Sequence, residues 1–261
     1  MRRSLFRRAT VLLAIVCAAL LVGAFAAAAS TTEITVSAAI SLKNCLDKIV
    51  RLYRVENPDV VVHLNLGASG TLQRQIEQGA PVDVFISASP SEMDALASQN
   101  LILSDTRRDL VNNRVVLIAP KDGTKPSGFQ GLTDPGVKII AIGDPQSVPA
   151  GEYAREVLTH YGLFDVLRPK FVFAKDVRQV LTYVETDNAD AGIVYATDAR
   201  TSARVSIVAV APEDSHSPVI YPVAVISGSR NPQGARSFVS FLLGTRSARV
   251  FEKNGFTPAH H

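Results

Sequence analysis

Residues 66–87 read Leu66-Gly67-Ala68-Ser69-Gly70-Thr71-Leu72, then Gln73-Arg74-Gln75-Ile76-Glu77-Gln78-Gly79-Ala80-Pro81, then Val82-Asp83-Val84-Phe85-Ile86-Ser87. The spacing predicts a strand that ends in a small-residue loop, a short helix opened by Ser69, and a second strand. A helix start leaves backbone N–H groups unpaired, and the positive end of the helix dipole points the same way. Such a loop is therefore a ready anion site. The same device recurs at three other places along the chain, with Lys175 the one basic residue just before a helix start. The repetition points to a small, buried, fully deprotonated oxyanion.

Outward from this stretch the pattern alternates strand and helix with short joints. Strands are predicted at 34–39, 60–66 and 82–87, with helices at 42–55 and 71–78 between them. Ser89-Pro90-Ser91-Glu92 reads as a capping box with Pro at the first helical position. This is a parallel βαβ layout. A strand at 113–119 and a polar Gly/Pro stretch at 121–136 lead to a second alternation. Its strands are predicted at 138–143, 170–174, 192–195 and 205–211, and its helices at 152–161 and 177–186. A polar loop at 212–218 precedes a strand at 220–227, and the end reads as one helix from 233 to 253. Two α/β units joined by extended crossings at 114–120 and 219–226 predict two lobes with a cleft between them; the alternative is one larger doubly wound sheet. The expected lobes are 30–115 plus 222–261, and 116–221. In open α/β sheets a ligand sits beyond the carboxyl ends of the strands, so the strand-to-helix loops are the ones to follow.

The first residues belong to export rather than to the fold. Arg2, Arg3, Arg7 and Arg8 precede an apolar run from Ala9 to Phe25, and then come four alanines and Ser30. A basic start, an apolar middle and an Ala-x-Ala exit predict a cleaved secretory signal over 1–29, hence a periplasmic location. A single membrane anchor is the competing reading. The chain has 27 basic and 24 acidic residues; removing the signal takes away four arginines and no acid. The mature protein is thus near neutral, and the sequence pI of 8.9 belongs to the signal. Nothing in the charge then argues for nucleic acid or an anionic membrane. About 230 residues remain, enough for one large or two small domains. Of the two cysteines only Cys45 survives processing, so no intramolecular disulfide is expected; Cys45 sits on an apolar face with Leu42, Leu46 and Ile49 and reads as a buried thiol.

Four loops share the character of the opening stretch. Ser41 stands where the helix after Ser37-Ala38-Ala39-Ile40 starts. Ser69 opens the second helix. Ala150 and Gly151 leave backbone N–H groups uncovered after Gly143-Asp144-Pro145. Val177 follows Asp176, which can cap its helix, and Tyr195 puts a phenol at the end of a fifth strand. Each residue alone has a plain explanation as cap, filler or core. Together they fall on the functional edge of the predicted sheets.

The stretches 37–44, 67–88, 143–154, 176–178 and 192–198, with Pro212-Glu213-Asp214-Ser215-His216 and 221–225, resemble the periplasmic molybdate-binding proteins of ABC transporters, the ModA family. The resemblance runs in order over essentially the whole mature chain. It implies a two-lobed α/β fold of the type II periplasmic-binding class. It also implies an oxyanion held by Ser41, Ser69, Ala150, Val177 and Tyr195 through hydroxyls and backbone N–H groups. The metal of the ligand would be reached only through its oxygens. The chain departs from relatives at Ile40 and Gly70, where Ser or Ala is frequent, and both changes leave the donors intact. The partners implied are molybdate or tungstate and a membrane permease, with no cofactor and a monomeric protein.

A donor-only site suits a tetrahedral dianion without a proton. Each charge-assisted hydrogen bond contributes roughly 1.5–3 kcal/mol, and a protonated phosphate would bring a donor with no acceptor to meet it. Sulfate carries the right charge, so its rejection rests on cavity size, and sulfate is the main rival ligand. A serine hydrolase using Ser69 is the other alternative. Gly67-Ala68-Ser69-Gly70-Thr71 departs from the G-x-S-x-G elbow at its last position, and no histidine is placed to serve Ser69. The expected function is therefore binding and delivery, not catalysis.

Overall fold

The computed structural model describes residues 31–123 and 125–259, and the expected signal at 1–29 lies outside them. Two mixed sheets organise the chain. The first has six strands: β1 (Thr32–Ala39), β2 (Val60–Gly67), β3 (Val84–Ile86), β4 (Arg108–Asn112), β10 (Ile220–Val225) and β11 (Thr257–Pro258), in the order β11-β4-β10-β3-β1-β2. The second has five: β5 (Val115–Pro120), β6 (Ile140–Gly143), β7 (Phe171–Ala174), β8 (Ala191–Tyr195) and β9 (Val205–Val210), in the order β7-β6-β8-β5-β9. The chain passes from one sheet to the other at 113–114 and returns through 211–219. The strands that follow, β5 and β10, each lie wholly in one sheet.

Nine helices cover the described sheets: α1 (Lys43–Glu56), α2 (Ser69–Glu77), α3 (Pro90–Ser98), α4 (Pro149–His160), α5 (Phe164–Leu167), α6 (Val177–Glu185), α7 (Ala196–Ala199), α8 (Pro232–Leu243) and α9 (Thr245–Lys253). α1 buries Cys45, Leu46, Ile49 and Tyr53 along one stripe, the i, i+4 spacing that gives a helix one apolar side. Tyr53 meets Phe238 of α8 edge-on at 5.1 Å between ring centroids. The opposite face of the first sheet is closed by Leu72, Ile76, Met93 and Leu96 over Phe85 and Ala224. In the second sheet β5, β6 and β8 are buried throughout, as continuous apolar runs should be when helices cover both faces. Val157 and Leu158 of α4 and Val180, Leu181 and Val184 of α6 supply the cover. Burying each such side chain is worth roughly 1.5–3 kcal/mol.

Several local expectations change. The segment β4 is strand where no element was predicted. The terminal helix is two helices, because Gly244 is extended (φ −76°, ψ 160°) and acts as the end of α8 and the start of α9. The Ser89 capping box is half formed. Ser89 Oγ accepts from Ser91 N at 3.2 Å, but the Glu92 carboxylate turns to the Ser87 and Ser91 hydroxyls instead of the Ser89 N–H. Ser87 Oγ takes that N–H at 3.1 Å.

Register decides where the loops emerge. β1 and β2 run parallel with Ala39 beside Gly67, so the loops carrying Ser41 and Ser69 leave the first sheet side by side. β6 and β7 run parallel with Gly143 beside Ala174, which does the same for the loops of Ala150 and Val177. β8 runs parallel to β6 on its other side and ends at Tyr195.

Candidate functional site

All five residues line one small cavity between the two sheets. Its empty volume, counted out to the mouth, is about 210 Å³. The part of it that a water-sized sphere can occupy is about 10 Å³, far below the roughly 300–1,000 Å³ typical of pockets for larger organic ligands. None of the side chains that line it is charged.

Ser41 lies in a single 3₁₀ turn, Ile40–Leu42, that precedes α1, rather than at the start of the α-helix itself. Its hydroxyl is 3.0 Å from Tyr221 Oη. Ser69 was expected to open α2 as its cap, but Ala68 is the cap residue and Ser69 is the first helical residue. The reason is a long-range bond: Ser69 Oγ accepts the Ala88 N–H at 2.9 Å. With one lone pair so occupied, the Ser69 hydrogen is free for the cavity that Ser69 lines.

Ala150 is the second residue of α4, after Pro149, where an N–H has no acceptor within its own helix. Two glycines let this helix start sit on the end of β6. A Cβ on Gly151 would collide with the Gly143 carbonyl, and one on Gly143 would stand 2.6 Å from Val148. Val177 is the first residue of α6, and Asp176 caps that helix by accepting the Gln179 N–H at 2.9 Å. The Asp176 carboxylate is thus held by its own helix, and Lys175 is exposed; neither lines the cavity.

Tyr195 is 1% exposed, and its hydroxyl has no hydrogen-bond partner among the described residues. Burial holds its phenol protonated, pushing the pKa well above the ordinary value, with Tyr221 and Tyr153 adding to the effect. Tyr153 and Tyr221 pack edge-on against its ring at 6.3 and 5.9 Å. A protonated phenol aimed into an uncharged cavity is a donor without an acceptor.

Just behind the cavity the charges pair off. Asp198, fully buried on α7, meets Arg178 Nε of α6 at 2.5 Å and ties the starts of those helices together. Burial pushes its carboxyl up to about 6 against the pull of Arg178. Burial also raises Glu92. Beside the cavity the start of α2 touches the loop before α4, where the Gly70 N–H donates to the Ser147 carbonyl at 3.2 Å.

Sequence reasoning missed the residues that set the hydroxyls: Ala88, Tyr221 and Asn113. Their bonds join positions 19 to 180 residues apart, and no local pattern announces them. Cys45 is buried as expected, and burial pushes its thiol up to about 12.

The chemistry is that of an anion trap: two hydroxyls, a phenol and helix-start N–H groups, with no carboxylate among them. No group of three or more His, Cys, Asp or Glu able to hold a bare metal ion occurs among the described residues.

Residues 34–257 match the bacterial extracellular solute-binding protein family. The molybdate-binding protein ModA of Escherichia coli is 41% identical over 238 residues, 88% of this chain and 91% of that protein. ModA of Haemophilus influenzae is 39% identical over 236 residues, again 88% and 91%. The periplasmic molybdate-binding protein of Azotobacter vinelandii shares the fold, with a TM-score of 0.77 at 24% identity over 87% of this chain and all of that one.

Proposed function

The chain belongs to the bacterial extracellular solute-binding proteins, in their ModA family, and from that premise we propose that it captures molybdate for an ABC importer. Tungstate, of the same shape and charge, is bound by the same donors. The observation that carries this reading is the convergence of donors without acceptors on one small uncharged cavity, with the Tyr195 hydroxyl unpartnered in it.

Each proposed ligand residue has a defined part. Ser41 and Ser69 donate through their hydroxyls, Ala150 and Val177 through backbone N–H groups at helix starts, and Tyr195 through its phenol. The first two stand at the strand ends of the first sheet, the other three at those of the second. An anion bonded to both sets stabilises the closed arrangement of the lobes, which is how binding becomes a signal to a permease. Neutral donors favour release, because opening leaves no cation unpaired. Hydrogen bonds to a charged group contribute roughly 1.5–3 kcal/mol each, so about seven of them, at the middle of that range and less at least ~4 kcal/mol of immobilisation, reach sub-micromolar affinity.

The protein works outside the cytoplasmic membrane after loss of residues 1–29, as a monomer, and carries no catalytic step. The hydrolase alternative is not favoured: Ser69 Oγ is engaged by the Ala88 N–H, and no histidine lines the cavity. Crystals of the protein grown with molybdate test the site by anomalous scattering from molybdenum. One peak is expected inside the cavity, separated from the donors of all five residues only by the anion's own oxygens. A peak elsewhere, or none, removes the assignment.

A further inference from the structure

We propose that Asn113 is a positioning residue that, through Tyr221, commits the Ser41 hydroxyl to donate into the oxyanion cavity. The inference rests on the molybdate reading and identifies what enforces the preference for an anion without a proton.

Asn113 sits in the joint between β4 and β5, where the chain leaves one sheet for the other. Its Oδ1 accepts the Arg114 N–H at 2.9 Å, which fixes the other end of the amide as nitrogen. The two hydrogens of Nδ2 go to Thr197 Oγ1 at 2.8 Å and Tyr221 Oη at 3.3 Å. An amide nitrogen only donates, so the Tyr221 oxygen must accept. Its own single hydrogen is then left for Ser41 Oγ, 3.0 Å away. Tyr221 is fully buried, and burial keeps its phenol protonated. Ser41 therefore receives a hydrogen bond from behind, and its own hydrogen is turned toward the cavity that it lines.

The polarity of the whole chain, Asn113 to Tyr221 to Ser41, follows from the one group in it that cannot accept. Ser69 reaches the same state by a separate route, from the Ala88 N–H. Both hydroxyls are thus donors before any ligand arrives. An oxyanion that presents an O–H to them finds only the one lone pair left on each, beside a hydrogen already aimed at the ligand.

Asn113→Asp tests this with little change of size. A carboxylate only accepts, so Tyr221 would turn its hydrogen to residue 113. Ser41 would then donate to Tyr221 and present a lone pair to the cavity. Calorimetric titration at alkaline pH compares molybdate with inorganic phosphate, there a monohydrogen dianion of the same charge. The extra carboxylate repels both dianions alike, so the ratio of affinities reports polarity alone. We expect Asn113→Asp to lower the molybdate-to-phosphate ratio at least about tenfold, or 1.4 kcal/mol. Parallel losses for both anions, as a merely structural role would give, overturn the proposal. Should Asn113→Asp show no cooperative unfolding, Tyr221→Phe decides: it frees Ser41 Oγ to accept, and the ratio should fall through a gain in phosphate. A ratio that does not move, or phosphate without measurable binding in both variants, overturns the positioning role. A wild-type protein that binds no molybdate overturns the proposed function instead.

Discussion

Replacing Tyr195 by Phe separates binding from folding more cleanly than any other single change. The hydroxyl is buried to 1% exposure and has no hydrogen-bond partner among the described residues, so its removal breaks no bond within the protein. The ring keeps its packing against Tyr153 and Tyr221. Ligand-free stability should stay level or rise, because an unsatisfied buried polar group costs roughly 1–3 kcal/mol. Binding should suffer in the opposite sense. A hydrogen bond to a charged group is worth roughly 1.5–3 kcal/mol, a loss of about tenfold to a hundredfold in affinity. At a fixed excess of molybdate the stabilisation by ligand falls by the same free energy. For a domain of this size that is a melting shift smaller by about 3–12 °C. Thermal unfolding with and without molybdate reads both effects in one experiment. Equal melting shifts in the two proteins would refute the donor role of Tyr195. A ligand-free protein destabilised by several kcal/mol would refute the claim that the hydroxyl has nothing to lose.

Other changes follow from the same geometry. Ser41→Ala and Ser69→Ala should each weaken molybdate binding by about 1–3 kcal/mol with the fold intact, measured by titration. Ser69→Ala should also lower stability in denaturant, since it orphans the Ala88 N–H. Gly70→Ala should hinder closure, because its Cβ would stand 2.8 Å from the Ser147 carbonyl oxygen across the cleft. Its cost, about 1–3 kcal/mol, should show as faster molybdate release with unchanged ligand-free melting. Asp198 makes stability depend on pH in a defined sense. Its folded carboxyl is raised to about 6, so the native state holds the proton more tightly than the unfolded chain. The stability it contributes is present in acid and is lost as pH rises through about 6, by up to about 3 kcal/mol. Relative to Asp198→Asn, the wild-type protein should therefore weaken over that window in denaturant unfolding, and parallel curves would contradict the assignment.

The strand–helix alternation was legible because its signals are local. Apolar runs such as Val115–Pro120 and the stripe Cys45, Leu46, Ile49 carry their own period. The strand-to-helix loops were legible for the same reason, as small residues next to helix starts. Other features depend on partners far along the chain. Arg108–Asn112 is a strand because β10 and β11 pair with it, not because of its composition. Ser69 carries a helix-cap signature, yet its hydroxyl answers to Ala88. Glu92 completes a capping box by spacing, yet its buried carboxylate is drawn to Ser87. Gly244 ends a helix that periodicity alone would continue. The residues lining the cavity could be named from the resemblance of their loops, while the direction of each hydroxyl appears only when Asn113, Tyr221 and Ser41 meet across 180 positions.

The central claim, one dianion held by neutral donors from both lobes, is tested most directly by calorimetric titration of the mature protein with molybdate in competition with sulfate and phosphate. The account predicts tight one-to-one molybdate binding, displaced by neither competitor at comparable concentration. Equal or tighter sulfate binding would contradict the ligand, and silence toward every oxyanion would contradict the site.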